Sequence, residues 1–144
     1  MSIFLTGSSG FVGKNILSKF SDQFELTKYT RGTKINIKED IVIHLAGKAH
    51  DLKNVSDQSD YYFANTELTK EVIDAFLSSD AKVFITLSSV KAVADTLESE
   101  LTENHLPYPF THYGKSKLLA EQYILSKSIP EGKRVYILRP CMIH

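Results

Sequence analysis

Leu5-Thr6-Gly7-Ser8-Ser9-Gly10-Phe11-Val12-Gly13 follows the apolar run Ser2-Ile3-Phe4 and leads into Lys14-Asn15-Ile16-Leu17-Ser18-Lys19-Phe20. An apolar run, then glycines at every third position, then apolar residues at helical spacing read as strand, tight turn and helix. Such a turn is a phosphate cradle. Gly7 takes the backbone angles the turn needs, Gly10 lets main chain approach a pyrophosphate, and Gly13 lets the helix pack close to the strand. The negative charge of a ligand then sits on the free N–H groups at the helix start. Gly7, Ser8, Ser9, Gly10, Phe11, Val12 and Gly13 are therefore candidate residues for binding a dinucleotide.

Bulk properties narrow the field. A chain of 144 residues fits one domain, spanning 1–144, and is long enough to bury a core. Basic and acidic residues balance at 17 each with no block of like charge, so no nucleic-acid or anionic-membrane partner is expected. Cys141 is the one cysteine, and no Cys/His cluster has zinc spacing, so neither an internal disulfide nor a metal is expected. With no run long enough to span a bilayer and no basic lead before the first apolar residues, a cytoplasmic protein is expected.

The pattern downstream alternates strands with helices, which predicts a doubly wound parallel sheet. After a helix over about residues 10–21, residues 24–30 alternate as a strand with one covered face. The end of this strand reads the adenine ribose in a dinucleotide fold, and here it is Thr30-Arg31-Gly32 with no acid, which favours NADP over NAD. Residues 35–37 suggest a stub of a third strand. Ile41-Val42-Ile43-His44-Leu45-Ala46-Gly47 is an apolar run of the kind buried on both faces of a parallel sheet. Too few residues lie between Arg31 and Ile41 for a full crossover, so the sheet edge is abbreviated. His44 reads as a core histidine without a catalytic role. Residues 48–59 read as a polar loop with His50 and Asp51 at its tip, and residues 60–78 as one long helix.

Residues 82–89 form another strand, ending in Ser88-Ser89 at the carboxyl end where open α/β sheets place ligands. An acidic, proline-bearing loop follows over 90–109, of a kind that folds over a site. Thr111 is the expected N-cap of a helix over about 112–126, which carries Tyr113 and Lys117 four residues apart on one face. A last strand over 134–138 precedes Arg139-Pro140.

These pieces resemble the extended branch of the short-chain dehydrogenase/reductases, the nucleotide-sugar epimerases and dehydratases. The matching motifs are Thr6-Gly7-Ser8-Ser9-Gly10-Phe11-Val12-Gly13, His44-Leu45-Ala46-Gly47, Asn65 with Thr69, Ser88-Ser89, Tyr113-x-x-x-Lys117 and Arg139-Pro140. They stand in family order and cover nearly the whole chain. The resemblance implies a three-layer Rossmann-type fold, with Ser89 as catalytic hydroxyl (Ser88 as its fallback), Tyr113 as base and Lys117 as the cation that supports it. Gly7–Gly13, Thr30, Arg31, Ala46, Gly47, Asn65, Tyr113, Lys117 and Pro140 would hold NAD or NADP. In that scheme Ala46 and Gly47 run beneath the cofactor. Lowering a phenol from a pKa of about 10 towards 7 needs roughly 4 kcal/mol. A lysine ammonium about 5 Å away at an effective dielectric of 20 gives about 3 kcal/mol.

Two departures refine the expectation. Dehydratases of this group carry an Asp-Glu pair after the catalytic hydroxyl, where this chain has Val90-Lys91, so sugar 4,6-dehydration is not expected. Extended members also continue past the Arg-Pro strand into a substrate-binding part about as long as this chain. The 144 residues therefore read as a cofactor-binding half whose substrate domain is missing, inactive alone. The implied activity is that of an NAD(P)-dependent nucleotide-sugar epimerase of the UDP-hexose 4-epimerase type. A keto-sugar reductase using NADPH and a non-catalytic dinucleotide sensor are the alternatives. The resemblance also implies a homodimer through the helices over 60–78 and 112–126.

Overall fold

A computed structural model describes residues 1–49, 57–96 and 100–141. Strand β1 (Ser2–Thr6) leads into helix α1 (Phe11–Phe20), edge strand β2 (Glu25–Lys28) and strand β3 (Ile41–His44). One continuous helical run follows, made of α2 (Gln58–Tyr61), a π-helical segment (Tyr62–Glu67) and α3 (Leu68–Leu77). Strand β4 (Val83–Leu87), a 3₁₀ turn (Val90–Ala92), helix α4 (His112–Leu125) and strand β5 (Arg134–Leu138) complete the described residues. All strand pairs are parallel, in the order β2-β1-β3-β4-β5. This is the Rossmann-like doubly wound sheet that the alternating pattern predicts.

The topology positions the site. From β1 the chain moves outward to β2, then returns to the other side of β1 as β3. The order reverses there, and open α/β sheets bind ligands at the carboxyl ends of the two strands flanking such a reversal. The abbreviated edge is explained by the connection between β2 and β3. Residues 35–37 form no strand: Ile37 is buried in the core with Phe4, Val42, Val72, Ile73, Phe76 and Phe84, and Ile35 packs against that cluster. An extended segment thus fills the layer where a crossover helix would sit. Asp40 ends it by accepting from the Ser2 backbone N–H at 2.8 Å, which pins the start of β3 beside the start of β1.

The two faces of the sheet are covered unequally. On one, Phe84 and Thr86 of β4 are buried beneath α3 and α4. On the other, Val83, Ile85 and Leu87 are half-buried, and Tyr136 and Leu138 of β5 are 45% and 48% exposed. The strand over 24–30 shortens to Glu25–Lys28, and its apolar face is only thinly covered because it is the sheet edge. The loop tip at His50 and Asp51 lies outside the described residues. No helix of the described residues is long and apolar enough to cross a membrane.

Candidate functional site

The cradle after β1 is built around missing side chains. Gly7 has φ +70°, and a Cβ there would lie 2.6 Å from the Ala46 backbone nitrogen and 2.6 Å from the Leu45 carbonyl carbon. The turns after β1 and β3 therefore touch, and only glycine permits it. A Cβ on Gly13 would strike the Gly7 carbonyl, so α1 begins against the turn itself. Gly10 is the N-cap and contributes no side-chain cap, and the first turn of α1 carries no acid. Gly10 N–H is taken by the Gly7 carbonyl at 3.0 Å, while the first amides of α1, those of Phe11 and Val12, have no intrahelical acceptor, as a pyrophosphate site requires. The residues present fit a dinucleotide.

Beside this turn lies a cleft of about 670 Å³, a volume typical of small-molecule sites. Tyr29, Arg31 and Thr33 line it from the end of β2, and Gly47, Lys48 and Phe63 from the other side. Arg31 thus lines the cleft just past the end of β2, and Thr30 is the exposed residue before it. Lys48 reaches across to Asp60 at 2.6 Å. This ion pair was not legible from sequence, since nothing in the pattern links the two sides of the intervening segment.

Asn65 holds the backbone of Lys48, one of the residues lining the cleft. Its Oδ1 accepts from Lys48 N–H at 2.8 Å, and its Nδ2 donates to the Lys48 carbonyl at 3.1 Å and to Ser116 Oγ at 3.0 Å. Ser116 Oγ in turn donates to the Tyr113 carbonyl at 2.8 Å, so Asn65 ties the turn after β3 to the helix bearing Tyr113. The π-helical segment makes this possible, because its wider turn brings Asn65 and Thr66 inward while Phe63 is 68% exposed. The structure supplies a further reason for a small residue at 47. A Cβ there would sit 2.6 Å from Asn65 Oδ1 and 3.2 Å from Lys117 Nζ. Gly47 makes room for protein side chains.

Ser89, Tyr113 and Lys117 converge at the carboxyl end of β4. Ser89 Oγ accepts from Lys91 N–H at 3.2 Å and its side chain is near enough to the Tyr113 phenol to influence its titration; the Tyr113 ring meets that of Tyr61 edge-on at 6.2 Å. Lys117 Nζ donates to the Leu87 carbonyl at 3.1 Å. Ser88 is buried, with an Oγ that has no hydrogen-bond partner among the described residues. Pro140 lies alongside, its carbonyl accepting from Val90 N–H at 3.3 Å. The loop after Ser89 is clamped to α4: Asp95 accepts from the N–H groups of Phe110 and Thr111 and from Thr111 Oγ1.

The electrostatics differ from the expected scheme in one respect. Burial raises the Tyr113 pKa above the usual 10, with Ser89 opposing the shift and Tyr61 adding to it. Burial also lowers Lys117 to about 8, opposed by Glu121. The protein by itself therefore holds the phenol neutral.

A glycine turn at a topological switch point, with a hydroxyl, a phenol and an amine at the carboxyl end of β4 in the same sheet, defines a dinucleotide-binding α/β protein with a candidate proton-transfer site. The chain belongs to the NAD-dependent epimerase/dehydratase family, whose model it matches over residues 3–143. It is 31% identical to the N-acetyl-alpha-D-glucosaminyl-diphospho-ditrans,octacis-undecaprenol 4-epimerase of Escherichia coli O157:H7, covering 99% of this chain and 49% of that protein. It is 29% identical to the GDP-6-deoxy-D-mannose reductase of Pseudomonas aeruginosa, covering 96% and 51%. Among solved structures, RMD from Pseudomonas aeruginosa complexed with NADPH superimposes with a TM-score of 0.77 at 26% identity, covering 97% and 53%. The chain spans about half the length of the curated relatives it matches.

Proposed function

We propose that these 144 residues are the cofactor-binding half of an NAD(P)-dependent sugar 4-epimerase whose substrate is a sugar carried on a nucleoside diphosphate. The observation that carries this reading is that Lys117, whose Nζ reaches both Gly47 and the Leu87 carbonyl, stands with Ser89 and Tyr113 at the carboxyl end of β4. In this scheme Tyr113 Oη takes the proton of a sugar hydroxyl and later returns it, while Ser89 Oγ hydrogen-bonds the same oxygen. When bound, an oxidised nicotinamide dinucleotide supplies reversible hydride acceptance and a positive charge, neither of which the side chains provide. In this scheme Lys117 is the source of the cationic charge that a phenol kept protonated by burial needs. The 3₁₀ turn over Val90–Ala92 carries no acid, which supports epimerisation over dehydration. The relatives are named for both nucleotide-linked and polyprenol-linked sugars, and the shared feature is a diphosphate carrier.

The test has two parts. Calorimetric titration of the 144-residue chain with NAD and NADP is expected to show binding, with turnover of UDP-hexoses negligible unless a longer form is assayed. In that longer form Tyr113→Phe is expected to cut kcat by about 10²–10⁴-fold while leaving dinucleotide affinity within about twofold. Unchanged kcat would remove Tyr113 from the chemistry.

Arg31 in the cleft favours a second reading, a keto-sugar reductase using NADPH. Arg31→Ala is then expected to weaken NADP by about 10–100-fold and leave NAD nearly unchanged, since a charge-assisted hydrogen bond contributes about 1.5–3 kcal/mol. Equal effects on both dinucleotides would exclude a contact to the ribose phosphate. A reductase consumes one NADPH per product, whereas an epimerase leaves the total cofactor unchanged.

A further inference from the structure

His44 is 2% exposed, yet both ring nitrogens are bonded: Nδ1 lies 2.8 Å from Thr6 Oγ1 and Nε2 lies 2.9 Å from Thr69 Oγ1. The neighbours fix the tautomer. Thr69 donates its hydroxyl proton to the Asn65 carbonyl at 2.7 Å, so Thr69 Oγ1 accepts from His44 Nε2–H. Nδ1 is then bare and accepts a hydrogen bond from the Thr6 hydroxyl. With its own proton committed, Thr6 Oγ1 accepts from Leu45 N–H at 3.1 Å and Ala46 N–H at 3.0 Å.

A single directed chain of hydrogen bonds thus runs from the backbone of Leu45 and Ala46 through Thr6, His44 and Thr69 to Asn65. Asn65 grips the other end of the same stretch at Lys48. The segment 45–48 is held at both ends, and His44 joins the two holders beneath it. This segment is also where the Gly7 turn makes its closest approach.

We propose that His44 is a positioning residue: a neutral Nε2–H imidazole that sets the backbone of Leu45, Ala46 and Gly47 against the Gly7 turn and so governs dinucleotide affinity. The inference rests on the cofactor reading above. Burial lowers the His44 pKa to about 3, with the nearby Lys117 charge adding to the shift, which agrees with a ring held neutral. A ring cation would need an acceptor at Nδ1, where Thr6 presents a donor. An apolar residue of similar volume would leave the Thr6 proton buried and unpaired.

The experiment uses the whole chain. Nitrogen NMR of the labelled imidazole, without ligand, is expected to show Nε2–H and bare Nδ1 across about pH 5 to 8, the range in which a free histidine titrates. An Nδ1–H tautomer, or titration near the usual value, would overturn the proposal whatever the variants do. Thr69→Val removes the hydroxyl without touching the glycine turn. It is expected to speed amide exchange at Ala46 and to weaken dinucleotide binding by about tenfold, roughly 1.4 kcal/mol, with Thr69→Ser restoring both. A purely structural Thr69 would lower the melting temperature and leave Kd unmoved, and that result sinks the proposal. Failure of the wild-type chain to bind either dinucleotide would instead overturn the cofactor reading, so the two failures are distinct.

Discussion

Lys117 carries its charge where burial opposes one. An unfolded lysine titrates near 10.5, and in the fold the group falls to about 8. Between those values the unfolded chain binds the proton that the native chain releases, so stability rises with pH through that window. Below about 8 both states are protonated and the burial penalty is fully in force. Lys117→Met is therefore expected to be more stable than the parent at pH 7, by on the order of 1–3 kcal/mol, while the cationic charge proposed to support Tyr113 is lost. Melting temperatures measured from about pH 7 to 10.5 should show the difference between variant and parent shrinking as pH rises. A variant less stable at neutrality would mean that the bond to the Leu87 carbonyl outweighs desolvation.

At the scale of elements, the start of α4 controls where Tyr113 stands. Thr111 accepts from Gly114 N–H at 3.1 Å, the N-cap bond, and donates to Asp95 Oδ1 at 2.9 Å, so one hydroxyl joins the helix to the preceding loop. Thr111→Ala is expected to cost about 1–2 kcal/mol in urea unfolding, with Thr111→Ser close to the parent. Equal loss in both variants would place the effect in the methyl group. This cap was legible in the sequence, as were the glycine turn, the parallel order and the strand-end serines, because each rests on short-range pattern. The π-helical segment was not. A period of 3.6 predicts Phe63 on the packed face, but the wider turn rotates it into solvent and buries Asn65 instead. Residues 35–37 misled for a related reason: Ile37 is apolar because it fills a layer, with no strand pairing involved. The network through Thr6, His44 and Thr69 joins residues far apart in sequence, and only the register of β1 beside β3 brings the first two together.

For the molecule as a whole, the homodimer implied by the family resemblance would use the outer surface of the π-helical segment, α3 and α4. A groove there is lined by Tyr62, Thr66, Lys70, Leu119 and Tyr123, and Leu119 is 44% exposed. Leu119→Glu is expected to shift sedimentation from dimer to monomer without changing dinucleotide affinity. A dimer that survives the substitution must be joined elsewhere. The second face of β4 and β5 has a separate consequence. Parallel strands ordinarily have cover on both sides, and here Tyr136 and Leu138 stay wet. An environment-sensitive dye should brighten against these oily side chains in the folded protein, and mild detergent should keep concentrated solutions clear where plain buffer lets them cloud.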